Sequence, residues 1–266
     1  MITDYTHTFR SEWRSLRSGL ALAAALLVGS SLASVQAEQA TTPTAAPPST
    51  NRWETTAAVG FTLTRGNSET LLATLSLDTK RKWDRNEAGF GIAGGYGEDH
   101  DVNNTEFVNA FGQYNRLVTE RFYGGLRADF SYDGIADLSY RVTISPLAGY
   151  YLIKETKTTL ALEAGPSVVF EKYEGQSEDT YAGLRIADRF EHKLSASTKL
   201  WQSATYIPQV DRWADKYVIT FEAGIDAAIT KQWSLRVVFQ DIYDSEPVSG
   251  NDHNDIRLIA GTAYKF

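Results

Sequence analysis

The chain ends in the stretch IRLIAGTAYKF, residues 256–266, in which apolar side chains recur at every second position. One face of this stretch is apolar and ends in aromatic rings, and it consists of Ile256, Leu258, Ala260, Thr262, Tyr264 and Phe266. The other face carries Arg257 and Lys265. Successive side chains point to opposite faces in a β-strand but not in a helix. The stretch therefore predicts a strand with one apolar side.

The same alternation recurs from Trp53 onward and defines about 12 such segments. A soluble sandwich also alternates, but its strands are usually about 5 or 6 residues long, whereas these segments run to roughly 10 to 14. Aromatic residues cluster at the segment ends, and tight turns alternate with longer polar connections at 97–104, 133–139, 174–179, 208–215 and 244–254. These features predict an all-β fold, a closed antiparallel up-and-down transmembrane barrel over residues 53–266.

The segment before the barrel reads as an export signal followed by a flexible leader. Basic residues up to Arg17 precede the apolar run 20–28, and small residues at 35 and 37 suit a cleavage site after Ala37. Residues 38–52 are rich in Pro, Thr and Ala and predict a flexible segment. We therefore expect a signal peptide at 1–37, a leader at 38–52 and location in a bacterial outer membrane.

The composition excludes several classes of protein. Cysteine is absent, which removes disulfide frameworks and cysteine-based catalysis or metal binding. The formal net charge is −7, and an acidic protein is a poor partner for nucleic acid. We expect no cofactor, no metal and no nucleic acid. The expected partners are outer-membrane lipid and lipopolysaccharide, the barrel assembly machinery and, if the lumen is open, small hydrophilic solutes.

The opening hairpin resembles that of a known family. The string GFTLTRGNSET at residues 60–70, the strand 71–78 and the basic pair at 80 and 81 are similar to the salt-induced outer-membrane protein family, also called domain of unknown function 481. The resemblance extends over about residues 53–266. It implies an outer-membrane barrel and transfers no reaction. Separately, Phe266 and Tyr264 resemble the terminal signal that the barrel assembly machinery reads.

The polar faces of the strands carry many charges, which cannot face hydrocarbon and therefore predict a charged lumen. The candidates for solute selectivity are Arg127, Asp129, Arg141, Glu163, Arg185, Arg189, Glu222, Asp226, Arg236 and Arg257. They fit either a polar channel or a set of ion pairs that plug a narrow barrel, because 12 strands lie between a filled and an open interior. We expect a narrow channel for small hydrophilic solutes or ions. The alternative is a non-conducting structural or stress-response barrel.

Catalysis is the third possibility. An outer-membrane lipid hydrolase would need a nucleophile, a base and an orienting group at one end of the barrel. Ser249, Asn251 and His253 supply these residue types in one connection, but a loop of Ser, Asn and Asp is usually solvated turn chemistry. We therefore expect no enzyme activity and assign no catalytic residue.

Overall fold

The computed structural model describes residues 51–64, 70–100 and 102–266. In these residues the chain forms twelve antiparallel strands and one short 3₁₀ helix, Val210–Arg212. The strands are β1 (Glu54–Thr64), β2 (Thr70–Trp83), β3 (Asn86–Asp99), β4 (Val102–Leu117), β5 (Phe122–Asp133), β6 (Leu138–Lys154), β7 (Thr158–Tyr173), β8 (Asp179–Lys193), β9 (Thr198–Pro208), β10 (Tyr217–Ala228), β11 (Trp233–Asp244) and β12 (Asn254–Lys265). The predicted signal peptide and nearly all of the leader lie outside the described residues.

Each strand pairs with the next along the chain, and β1 pairs with β12, so the sheet closes. The closing ladder runs from Thr56 opposite Lys265 to Gly60 opposite Gly261. Gly261 permits this close approach, because a Cβ there would lie 2.0 Å from the carbonyl oxygen of Val59. The predicted closed barrel of about 12 strands is confirmed. The closing ladder holds five residue pairs, against eleven between β1 and β2.

The two ends of the barrel differ. The end that holds both Trp53 and Phe266, together with the tight turns after β2, β4 and β6, is called the turn end here. The opposite end, called the loop end, carries the longer connections at 209–216 and 245–253. One predicted loop is wrong: residues 97–104 are mostly strand, because β3 runs to Asp99 and β4 begins at Val102. His100 at φ 50° makes a tight hairpin possible there.

The outer surface is apolar between two bands of aromatic residues. Outward side chains such as Phe61, Leu258 and Leu75 are exposed to 64%, 67% and 62%. Ring pairs including Trp233 with Tyr264 lie at the turn end. At the loop end, Tyr217 meets Tyr206 edge-to-face and stacks on Tyr243. No helix in the described ranges is long and apolar enough to cross a membrane. The outward band has the composition of a lipid-facing surface.

Candidate functional site

The lumen is the candidate site, because alternation along every strand directs the polar faces inward. The strand register brings all the predicted selectivity residues to inward positions, but it does not bring them into one cluster. Glu163, Arg185, Arg189, Arg127 and Asp129 share one network on β5, β7 and β8. The second network holds Asp226, Arg236 and, nearby, Glu222 on β10 and β11. At the loop end, Arg141 bonds to Glu171 and Asp244. Arg257 pairs with Asp133 and is linked to Glu222 through Gln240.

The first network fills the side of the lumen formed by β4–β8. Its centre is Glu163, whose side chain is fully buried. Oε1 accepts hydrogen bonds from Arg189 at 2.7 Å, Gln113 at 2.7 Å and Tyr123 at 2.8 Å. Oε2 accepts one from Arg185 at 2.9 Å. These four donors compensate the cost of burying the carboxylate. We call the part of the lumen that this network fills, along β4–β8, the packed side.

Aromatic rings extend the packed side over inward-facing glycines. The ring of Tyr123 lies where a Cβ on Gly149 would stand, 2.2 Å from the nearest ring atom. Phe111 covers Gly91 in the same way, at 2.3 Å. The guanidinium of Arg127 lies 4.5 Å from the centroid of the Phe111 ring. These aromatic residues were not predicted from the sequence. The glycine-rich inward face of β3 nevertheless indicates that large side chains from the neighbouring β4 can lie against it.

The other side of the lumen, formed by β9–β12 and β1–β3, is open. A cavity of about 1110 Å³ lies between it and the packed side. The lining includes Glu54 and Lys265 at the turn end, Asn251 and Asp255 at the loop end, and Phe111, Arg127 and Arg189 from the packed side. Many of the lining side chains are small and carry hydroxyl groups, namely Thr56, Thr74, Ser76, Ser203, Thr205, Thr220 and Ser234. These short side chains make the wall polar and leave the space beside it free. We call the part of the lumen along β9–β12 and β1–β3 the open side.

Charges of both signs project into the open side. Arg236 Nε donates to Asp226 Oδ1 at 2.6 Å, and its Nη1 lies 3.7 Å from Asp78 Oδ2. Lys199 Nζ lies 3.7 Å from Asp226 Oδ2. Glu222 accepts a hydrogen bond from Gln240 at 2.6 Å and makes no ion pair within the described residues. These charges lie between the middle of the barrel and the turn end, where Lys80 also lines the cavity.

At the loop end, ion pairs cross the lumen. Arg141 on β6 donates to Glu171 Oε2 on the adjacent β7 and to Asp244 Oδ2 on β11, both at 2.7 Å. β6 and β11 lie five places apart around the closed sheet, so the second contact spans the barrel. Arg257 on β12 makes a comparable contact with Asp133 on β5. These cross-lumen pairs narrow the loop end.

Lys216, in the connection before β10, joins this loop-end network. Its Nζ lies 2.8 Å from Glu171 Oε1 and 2.8 Å from Asp179 Oδ2. Burial opposes the charge on Lys216, but the hydrogen bonds to Asp179 and Glu171 outweigh burial and raise its pKa above the ordinary 10.5. The lysine therefore holds the 209–216 connection against β7 and β8 in its charged form.

The described residues form no catalytic triad around His253. Its Nδ1 bonds to the backbone oxygen of Asp244 at 2.8 Å, and its ring stacks on Tyr243 at 5.7 Å. Asn251 instead donates to Asp137 at 3.1 Å. In the part of the chain that the structure describes, no group of three or more His, Asp and Glu side chains is arranged to hold a metal ion.

The residues of the predicted assembly signal lie at the turn end. Tyr264 faces outward on β12, and its ring contacts Trp233 at 4.9 Å and Phe266 at 5.0 Å. The backbone N–H of Phe266 donates to the oxygen of Thr55 at 2.9 Å, which ties the last residue to β1. The two rings thus lie beside the closing seam of the barrel.

Comparison with known proteins shows the family to which the chain belongs. A family model described as "Protein of unknown function, DUF481" matches residues 57–266. The chain belongs to this family. The predicted membership of domain of unknown function 481 is thereby confirmed. No curated protein matches the sequence.

Several solved structures resemble the barrel. The NanC porin is 6% identical over 80% of this chain and 96% of its own, with a TM-score of 0.46. The KdgM porin is 11% identical over 81% and 99%, with a TM-score of 0.44. The translocator domain of the autotransporter NalP from Neisseria meningitidis is 15% identical over 80% and 87%, with a TM-score of 0.43. The function of the lumen has to be inferred from its own residues.

Proposed function

We propose that this DUF481 member is an outer-membrane channel that passes ions and small hydrophilic solutes along the open side of its lumen. The observation that supports this is the cavity of about 1110 Å³ whose lining includes residues of both barrel ends. In this proposal the apolar outer band meets lipid, the turn end faces the periplasm and the loop end faces the exterior. Lipopolysaccharide would then surround the loop end.

The size of the cavity limits the solute. Spread over a hydrocarbon thickness of roughly 30 Å, the cavity volume of about 1110 Å³ corresponds to a cross-section of roughly 40 Å². Such a path admits hydrated ions and small polar molecules one at a time. The cross-lumen contacts of Arg141 and Arg257 narrow it further at the loop end.

One carboxylate on the open side supports a weak preference for cations. The described lining of the cavity carries ten carboxylates and ten Lys or Arg side chains, so its charges balance, but Glu222 has no ion pair in the described residues. Desolvated charges with few compensating partners act strongly on a passing ion. Glu222 is therefore the residue we expect to contribute most to selectivity.

Planar-bilayer recording of the purified protein tests the proposal. We expect discrete conductance steps and a reversal potential, under a salt gradient, that indicates mild cation selectivity. Glu222→Gln should reduce that selectivity, and Arg236→Gln should increase it. Absence of conductance at either polarity would overturn the channel, and an unchanged reversal potential in both variants would remove these residues from the path.

A non-conducting structural or stress-response barrel is the second candidate. The packed side around Glu163 and the cross-lumen pair of Arg141 and Asp244 favour it, because both reduce the free space of the lumen. Recording from an Arg141→Gln, Asp244→Asn variant separates the two candidates. Absence of conductance in both this variant and the wild type would favour the structural barrel.

We also propose that export removes the segment before Glu38 and that Tyr264 and Phe266 serve as the assembly signal. Their position at the closing seam supports a role in insertion of the last strand. Deletion of Phe266 should lower the folded fraction in membranes, measured as the heat-modifiable band on a gel. An Asn251→Ala variant at the other end serves as the control, and equal folded fractions would contradict the proposal.

A further inference from the structure

The arginines of the described residues fall into two groups according to their partners. From Arg127 onward along the chain, every arginine forms an ion pair with a carboxylate within the barrel or its loops. Before that point none does, in the ranges the structure describes, and this second group consists of Arg52, Arg81, Arg85, Arg116 and Arg121. The division is spatial as well, since all five lie at the turn end, from the approach to β1 to the turn before β5.

Arg81 is the best defined of the five. It lies on the outward face of β2, where its guanidinium carbon is 5.1 Å from the ring centroid of Trp83 and 5.9 Å from that of Trp53. Nη2 donates to Asn51 Oδ1 at 2.8 Å, while Nε is buried without a hydrogen-bond partner in the described residues. The guanidinium is thus held by two aromatic rings and Asn51.

Arg116 lies two strands away on the same outward surface. Strand register places Trp83 opposite Asn86 and Asn86 opposite Arg116, so the Cα atoms of Trp83 and Arg116 are roughly 10 Å apart. Tyr114 fills the space between, with its ring 6.3 Å from that of Trp83. Arg116 is exposed. Two arginines therefore flank an aromatic platform.

The surroundings of this surface are apolar on one side and polar on the other. Toward the middle of the barrel, the same outward rows continue into Leu77, Phe90 and Ile92, all exposed to between 43% and 52%. Toward the turn end lie the acidic residues Asp84 and Glu120, neither of which comes within 4.0 Å of an arginine in the described residues. Within the described residues, the five arginines therefore have no carboxylate partner.

We propose that this surface binds the headgroups of anionic phospholipids in the leaflet at the turn end. It is formed by Arg81, Trp83, Tyr114 and Arg116, and we call it the arginine arc. A guanidinium fork matches the oxygens of a phosphodiester, aromatic rings of this kind lie at headgroup level, and the apolar rows beyond them suit the acyl chains. A phospholipid supplies all three kinds of contact at once. An acidic protein partner would supply only the first.

The test measures lipid retained on the folded full-length protein. Protein reconstituted with equal amounts of phosphatidylglycerol and phosphatidylcholine is extracted into mild detergent, and the bound lipids are counted by native mass spectrometry. The wild type should retain phosphatidylglycerol in clear excess. An Arg81→Gln, Arg116→Gln variant should lose roughly 10-fold or more of this preference, since each basic residue near an anionic lipid contributes independently.

A matched control is Lys157→Gln with Lys172→Gln, which removes two exposed positive charges outside the arc and should leave the preference unchanged. Heat-modifiable gel mobility shows whether each variant is folded. If the first variant fails to fold, Arg116→Gln with Arg121→Gln replaces it, because both side chains are exposed. Equal retention of the two lipids by the wild type, or equal loss in the control and arc variants, would overturn the proposal.

Discussion

Replacing Glu163 by glutamine should destabilise the barrel more than neutralising any other carboxylate that faces the open or packed side of the lumen. The Glu163 carboxylate is fully buried and accepts bonds from two arginines, Gln113 and Tyr123. Loss of one partner from a buried ion pair costs about 3 to 5 kcal/mol. Glutamine keeps one acceptor oxygen, so we expect a loss near the lower limit, about 3 kcal/mol.

Urea unfolding of the protein in detergent micelles, followed by tryptophan fluorescence, measures this loss as a fall in the midpoint at constant slope. Glu222→Gln is the matched control, since Glu222 has one described hydrogen bond, from Gln240, and no described ion pair. The Glu222→Gln variant should lose no more than about 1 kcal/mol of unfolding free energy. Equal midpoints for the two variants would refute the view that Glu163 organises the packed side.

Further predictions concern packing, the loop end and pH. Gly149→Ala should cost about 1 to 3 kcal/mol in the same urea titration, because its Cβ would stand 2.2 Å from a ring atom of Tyr123. Arg141→Gln with Asp244→Asn should raise single-channel conductance by removing a pair that crosses the lumen. The raised pKa of Lys216 implies a stabilisation that is present below pH 10.5 and lost above it. Wild type and Lys216→Met should therefore converge in urea midpoint only at strongly alkaline pH.

Each of these three predictions has a control variant or an outcome that would contradict it. Gly124→Ala should be nearly neutral, as its nearest non-neighbouring atom within reach of a Cβ lies at 3.9 Å, and an equal loss there would discount the Tyr123 clash. Arg212→Gln with Glu246→Gln removes a pair that lies outside the lumen, so a matching rise in conductance would contradict the cross-lumen explanation. A constant difference between wild type and Lys216→Met across the alkaline range would contradict the assigned role of that lysine.

The strands and their faces were predictable because period-two alternation is a local property of the chain. Residues 256–266, for example, separate Arg257 and Lys265 from the apolar face without reference to any other strand. The same local pattern predicted closure, since long strands without protected edges need a closed sheet. The family resemblance of residues 60–70 was independent support, although residues 65–69 lie outside the described ranges.

The division of the lumen into a packed and an open side was not predictable. It depends on which inward side chains meet across the barrel, as Arg141 and Asp244 do from strands five places apart. β4 carries large side chains on both faces for a related reason. Phe107 and Phe111 point inward, which is possible because β3 presents glycines opposite them. Charge alone indicated the inner face but gave no position for the free space.

The most direct measurement of the central claim uses the absence of native cysteine. Single Ser203→Cys and Ser167→Cys variants place a thiol on the open side and on the packed side, where Ser167 is only 3% exposed. A charged thiol-reactive methanethiosulfonate is then added during bilayer recording. Modification should reduce the current through Ser203→Cys and leave Ser167→Cys unchanged. Block of Ser167→Cys with no effect on Ser203→Cys would contradict the proposed path.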